Sequence, residues 1–143
     1  MSDELLLLKK SLREHGSSLT APRQLVFELL LDEEPMSLKA LLQKVNGRVD
    51  RVSVYRAIAL FEKIGIIQRI YIGWKYKLEL SDTFSHHHHH MTCLKCGTLI
   101  PLHEDNELEA YVQSVATKHG MIATRHQIEI QGICQSCQKQ IAK

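Results

Sequence analysis

Two cysteine pairs, Cys93-Leu94-Lys95-Cys96 and Cys134-Gln135-Ser136-Cys137, stand 37 residues apart and account for every cysteine in the chain. A CxxC turn sets two thiolates on one side of an ion. A second turn completes the tetrahedron that zinc prefers, with each sulfur at about 2.3 Å. Disulfide or redox chemistry is the alternative. Nothing in the sequence signals export, which disfavours disulfides, and neither pair reads as opening a helix in a βαβ pattern, as redox pairs do. The preferred reading is a structural Zn2+ on Cys93, Cys96, Cys134 and Cys137, which is silent about function.

The second feature is the run His86–His90, which ends three residues before Cys93. Side chains alternate faces along an extended segment. His86, His88 and His90 then point one way, and His87 and His89 the other, so one strand can serve two separate metal sites. A solvated histidine loop and an affinity tag are the competing readings, but tags sit at termini and this run is internal. Further ligands must come from elsewhere: Glu79 at the end of a β-rich run, Glu109 on a helix, His126 at the start of the last strand. Mixed imidazole and carboxylate shells suit Zn, Fe, Mn, Ni or Co. His15, His103 and His119 read as surface or core histidines.

The elements that must position these residues fall into two groups. Residues 1–80 carry 13 Lys/Arg against 10 Asp/Glu, no cysteine and one histidine; residues 81–143 carry 5 against 6, with all the cysteines and the other eight histidines. In the first group, Leu5–Glu14 reads as a helix ended by Gly16. Thr20 and Pro22 start a second, with Leu25, Leu29 and Leu30 at helical spacing. Ser37 caps a third, bearing Leu38, Leu41, Leu42 and Val45 and stopping near Asn46-Gly47. Asp50 caps a fourth with an inward stripe of Val54, Ile58 and Phe61. Ile66–Ile72 and Lys75–Leu80 flank Gly73-Trp74 and form a hairpin. Helices followed by a hairpin describe a winged helix-turn-helix, which either binds DNA or serves as a scaffold.

In the second group, residues 107–119 predict a helix with Leu108, Tyr111, Val112 and Val115 on one face. Short strands are expected around Met91–Thr92, Thr98–Leu102 and Ile128–Ile133. A module of roughly 60 residues has a thin core and needs a metal, a disulfide or a partner chain. The fold class is therefore α+β: a winged helix at 1–80, a hinge at 81–85, and a small metal-binding α/β module at 86–143.

Composition narrows the function. Hydrophobic residues make up 44% and charged ones 24%, a globular balance, and a net charge of +2 selects no partner. No apolar run approaches the ~18–20 residues of a membrane span. Leu5–Leu8 follows two acids rather than a basic segment, so no signal peptide is expected, and the expected location is the cytoplasm. HExxH, GxSxG and GxxxxGK[ST] are all absent from the sequence. The expectation is not an enzyme. An open His/carboxylate metal site with hydrolytic activity, and a zinc-stabilised interaction module without DNA, are the competing classes.

Thr20-Ala-Pro-Arg23, Val52-Ser-Val-Tyr-Arg56, Glu62-Lys-Ile-Gly-Ile-Ile67, His86–His90, Cys93-x-x-Cys96-Gly97 and Gly132-Ile-Cys134-x-x-Cys137 occur in that order. Their order and spacing resemble the ferric uptake regulator superfamily of bacterial metal-dependent transcription factors, over nearly the whole chain. The resemblance implies an N-terminal winged helix that binds a roughly palindromic DNA operator, a C-terminal dimerisation domain, and a homodimer. It implies structural zinc on the four cysteines, a sensing site near the hinge on Glu79, His88 and His90, and an additional site on His87, His89, Glu109 and His126. The regulatory metal implied is Fe2+ or Zn2+, with Mn2+ and Ni2+ as further options. The function implied is a metal-dependent repressor of metal-uptake or homeostasis genes. A peroxide-sensing member, which oxidises a ligand histidine when iron is bound, is the alternative.

The chain departs from the family pattern in places. Many members have a ligand His just before the third helix; this chain has Glu33-Glu34-Pro35-Met36, so either Glu33 or Glu34 replaces it or that ligand is missing. A basic residue common near Ser18 is absent, and no fifth cysteine is left for a thiolate sensor. On the winged-helix reading, residues 50–64 enter the major groove. Tyr55 is then expected at a thymine methyl or phosphate, Arg51 and Arg56 at phosphates or a guanine edge, Ser53 beside them, and Arg23 on the backbone. The bland alternative has Tyr55 packed and Arg56 paired with an acid.

Overall fold

The computed structural model describes residues 1–31 and 34–142. The chain divides into two compact units, Met1–His86 and His87–Lys143.

The first unit is four helices and a hairpin: α1 (Asp3–Glu14), α2 (Ala21–Leu30), α3 (Leu38–Val45), α4 (Arg51–Lys63), β1 (Ile67–Ile72) and β2 (Lys75–Leu80). Local chemistry sets most boundaries. The side chains of Ser2, Ser37 and Asp50 accept from the backbone N–H groups of Leu5, Ala40 and Ser53, satisfying donors that a helix start leaves orphaned. The Ser2 cap starts α1 at Asp3, two residues ahead of the expected Leu5. α3 ends where Asn46 and Gly47 both take positive φ, 49° and 71°, a conformation these two residue types tolerate best. The hairpin pairs Ile67 with Leu80 through Ile72 with Lys75 around Gly73 at φ 62°.

Leu8, Leu12, Val26, Phe27, Leu41, Val54, Phe61 and Leu78 are fully buried and form one continuous core. In α2 the buried face is Val26, Phe27 and Leu30, while Leu25 and Leu29 are half-buried. The inward face is thus rotated by about a residue from the expected leucine stripe, because the bulkier Phe27 takes the centre. Met36 adds a β-bridge to Leu78, which the sequence did not suggest. The segment expected as a hinge, 81–85, is part of the first unit. The Ser81 N–H donates to the Ile66 carbonyl at 2.8 Å, and Phe84 sits edge-on to Phe27 with centroids 5.1 Å apart.

The second unit has a three-stranded sheet, β3 (His89–Cys93), β4 (Leu99–Leu102) and β5 (Glu129–Gly132), in the order β4-β3-β5. β3 runs antiparallel to β4 and parallel to β5. α5 (Asn106–Lys118) joins β4 to β5, and α6 (Gln135–Ile141) follows. One expectation is corrected. Cys134 is the N-cap of α6, so the second CxxC does open a helix; its polar Gln/Ser/Lys sequence has no apolar period to announce one. The helix expected at 107–119 is α5, and its apolar face covers no core, since α5 has no buried residue and Tyr111 is 65% exposed.

Candidate metal centres and nucleic-acid face

The four cysteines converge. Cys93 ends β3, Cys96 follows in the turn before β4, and Cys134 and Cys137 start α6. Their Sγ atoms all lie within 4.8 Å of one another, with Cys96 and Cys134 at 3.8 Å. Four sulfurs about 2.3 Å from a tetrahedral ion would be about 3.8 Å apart, so the donor set fits zinc. The electrostatics are prepared unevenly. Backbone N–H groups, that of Cys134 at 3.3 Å among them, hold the Cys93 thiol down to about 6. The Thr98 hydroxyl, 3.0 Å from Cys96 Sγ, lowers Cys96 as well. Burial and the neighbouring sulfurs push Cys137 up to about 12. All four are free thiols, grouped as one cluster and not as two pairs, which is the geometry of a metal site more than of a redox dithiol.

The histidine run separates as alternation requires. His87 and His89 meet edge to face with centroids 4.7 Å apart, and His88 and His90 do so at 4.6 Å. Around the first pair, donor atoms of His87, His89, Glu109 and His126 lie within 4.8 Å of one another. Glu109 Oε1 is 2.9 Å from His89 Nε2 and 3.3 Å from His87 Nε2, while Oε2 is 3.0 Å from His126 Nε2. The His87 and His126 Nε2 atoms are 3.2 Å apart. Tetrahedral donors at about 2.0–2.1 Å would be about 3.3–3.4 Å apart, so three imidazoles and a carboxylate fit a divalent cation. Burial raises the Glu109 carboxyl, but the His89 hydrogen bond and the His126 and His87 charges outweigh it, and the group lies below the usual carboxylate range. His89 is 1% exposed, and its Nδ1 has no partner among the described residues. Its polar satisfaction therefore comes from this cluster alone.

Glu79 is buried on β2 and accepts from Gln68 Nε2 at 2.6 Å. It belongs to the first unit, and His88 and His90 to the second. Glu34 is exposed; Glu33, the other replacement considered for a missing histidine, lies outside the described residues. His15 Nδ1–H donates to the Ser11 carbonyl at 2.9 Å, and His103 and His119 are exposed.

On α4, Arg51, Tyr55 and Arg56 are exposed while Val54, Ala57, Ile58 and Phe61 face the core. Tyr55 is thus not packed. Ser53 is half-buried and spends its hydroxyl on Asp50 at 2.6 Å, so it acts in the helix cap. Arg23 is half-buried and donates to the Ser18 carbonyl, tying α2 to the turn before it. A cleft between α3 and α4 is lined by Lys39, Gln43, Asn46, Arg51 and Tyr55. Lys39, Gln43 and the exposed Val52 were missed in the sequence. A lysine and a glutamine on the polar face of a short helix resemble any solvated pair until α4 is laid beside them.

Residues 14–131 match the Ferric uptake regulator family. The chain is 33% identical over 140 residues to the ferric uptake regulation protein of Escherichia coli strain K12, covering 94% of this chain and 90% of that one. Its fold superposes on the Vibrio cholerae ferric uptake regulator with a TM-score of 0.68 at 29% identity, over 88% of this chain and 98% of that one. A zinc-bound manganese uptake regulator matches at the same 29% identity with a TM-score of 0.58, over 89% and 98%. With the motifs, the fold and these likenesses in agreement, the chain belongs to the ferric uptake regulator family.

Proposed function

We propose that this protein is a metal-activated transcriptional repressor that binds a roughly palindromic DNA operator as a homodimer and controls metal-uptake or homeostasis genes. The observation that carries the reading is the sorting of one histidine run onto two faces, with Glu109 and His126 gathered around one of them. A scaffold has no use for such donors.

The roles divide by unit. Cys93, Cys96, Cys134 and Cys137 would hold structural Zn2+. His87, His89, Glu109 and His126 would hold a second ion. Glu79, His88 and His90 would hold the regulatory one, Fe2+ or Zn2+ first, with Mn2+ and Ni2+ next in line. A bound divalent cation supplies a fixed positive charge that favours donors gathered at one point. Because Glu79 and the histidine pair belong to different units, satisfying all three donors restricts the relative orientations of the units. That selects among arrangements of two DNA-binding heads by differential affinity. A coupling of about 1–3 kcal/mol changes operator affinity roughly 5–150-fold, and DNA tightens metal binding by the same factor.

The homodimer is supported by apolar surface left over in the second unit. Ile100, Ile130 and Ile133 are exposed and line, with Met91, a hollow of about 150 Å³ on the sheet. Tyr111 and Val115 are exposed on α5. A second copy would cover such patches. No helix is long and apolar enough to cross a membrane among the described residues, and we place the protein in the cytoplasm. Arg51, Tyr55 and Arg56, with Lys39 and Gln43 across the cleft, would face the major groove, Ser53 would support them through the cap, and Arg23 would hold the backbone.

The test is metal content paired with DNA binding at fixed salt, since phosphate contacts make affinity salt-dependent. The weaker metal is chelated and Fe(II), Zn, Mn and Ni are added back singly. One tight zinc per chain, with operator affinity restored by a second metal, is expected. Affinity unchanged with only the tight zinc present overturns the regulatory reading. An assay of esters and phosphoesters with Zn or Mn is expected to show no turnover.

A further inference from the structure

The chain has a single tryptophan, and it sits at the tip of the β1–β2 hairpin with 98% of its surface exposed. Neither packing nor turn geometry calls for an indole there. A two-residue turn with Gly first at positive φ is served by a small polar second residue. Burying a tryptophan removes 150–250 Å² of largely apolar surface from water, and Trp74 forgoes all of it. Tryptophan is enriched at binding surfaces, where a partner covers its ring.

The surroundings identify the kind of partner. Lys75 is exposed, Lys77 is half-buried, and Tyr71, near the end of β1 and paired with Tyr76, is 51% exposed. Residues 63–78 include no Asp or Glu, and neither lysine is paired with a carboxylate among the described residues. The tip is thus an aromatic group inside a cationic strip. It lies in the same unit as the exposed Arg51, Tyr55 and Arg56 of α4. One side chain on a two-residue turn is far too small for a protein interface, which needs about 800 Å² a side. It suffices as an adjunct to a helix already seated on a polyanion.

We propose that Trp74 is a contact to the bound duplex: the hairpin tip lays its indole against the sugar–phosphate edge beside the half-site, with Lys75 on an adjacent phosphate. The inference rests on the reading of the protein as an operator-binding regulator. A contact to the sugar–phosphate edge positions the protein without reading base sequence. Trp74 should therefore add affinity uniformly across operator variants, leaving discrimination to α4.

Because Trp74 is the sole tryptophan, its emission reports directly on this contact. Metal-loaded protein is titrated with a duplex selected by that protein from a randomised pool. Saturable quenching or a blue shift, and a fall in acrylamide accessibility at the same duplex concentration as the gel shift, are expected. W74A should weaken binding at least about five-fold, equally on variants of the half-site, with W74F retaining most of the affinity. The slope of log affinity against log salt should be unchanged in W74A and shallower by about one in K75A. An unchanged melting temperature in W74A checks that folding is intact. Duplex binding by the wild type with Trp74 as accessible as in free protein overturns the proposal, as does full affinity in W74A. Protection of Trp74 by metal alone, without DNA, assigns the tip to a contact between copies and also overturns it. A chain that binds no duplex with any metal sinks both this inference and the regulatory reading.

Discussion

The two units of this chain are stable for different reasons. The first buries a continuous core in which Phe27, Phe61, Leu8, Leu12, Leu41 and Leu78 are essentially inaccessible. In the second, the buried residues are His89, His90, Thr92, Cys93 and Cys137; no aliphatic side chain is buried among its described residues. What the second unit shields from water is mostly imidazole and thiol side chains. Thiolates gathered within a few ångströms repel one another unless a cation shares them. One unit is therefore held by the hydrophobic effect, whereas the other buries too little apolar surface to be held that way alone.

On the zinc reading proposed for the four cysteines, removing that metal should have the largest effect. Structural zinc contributes about 10–16 kcal/mol to small zinc-dependent folds, more than the total stability of most domains. Chelation, or C93S, is expected to abolish amide protection across the second unit while α1–α4 remain protected, as read by hydrogen exchange. Loss of protection in both units together would break the contrast. The converse perturbation is F61A, which removes a fully buried aromatic ring from the first core at a cost of about 3–5 kcal/mol. It should melt α4 and the hairpin with zinc content unchanged. Zinc loss in F61A would mean that the two units unfold as one.

Acid sharpens the same contrast by acting on thiols. Cys137, pushed up to about 12, is protonated at neutral pH and must release its proton on binding zinc. Cys93, held down to about 6, has already lost its own. Zinc affinity therefore rises with pH through neutrality. Below about 6 a further proton competes, so log Kd against pH should steepen by one proton there. Competition with a chromophoric chelator across that range measures the slope. A slope that stays constant through pH 6 would show that Cys93 is not preset as a thiolate.

How much of this was legible in the sequence also differs between the units. In the first, caps and breakers act locally. Ser37, Asp50, Asn46-Gly47 and Gly73-Trp74 each mark an end that the structure keeps, because each satisfies or redirects the backbone within a few residues. Rotation of the α2 face toward Val26 and Phe27 was not legible, since it depends on which side chain best fills space between α3 and α4. In the second unit the period-two rule already separates His87 and His89 from His88 and His90. The partners Glu109 and His126 come from distant elements, and only the parallel pairing of β3 with β5 and the placing of α5 gather them. α6 was invisible because nothing on it needs an apolar face: its start is set by Cys134 and Cys137. The sequence of α5 sets Leu108, Tyr111, Val112 and Val115 on one face, yet within one chain that face has no core to enter.

The smallest expected effect lies in the first unit, where charge plays only a supporting part. Asp50 is fully exposed, and its side chain accepts from Ser53 Oγ and the Ser53 N–H. Those hydrogen bonds, the hydroxyl's first, lower its pKa. A depressed folded pKa contributes stability that is present above the unfolded value and lost as pH falls through the folded one. Asn caps helices about as well as Asp, so D50N removes the charge and keeps the cap. At neutral pH D50N should melt slightly below the wild type in the transition assigned to the first unit. The difference should shrink as pH falls below about 4, the ordinary Asp range, and vanish once the wild-type carboxylate is protonated, with the zinc-dependent transition following its own thiol-governed course. A gap that persists in acid would mean that Asn disturbs the cap itself, and that the start of α4 depends on carboxylate geometry and not on its charge.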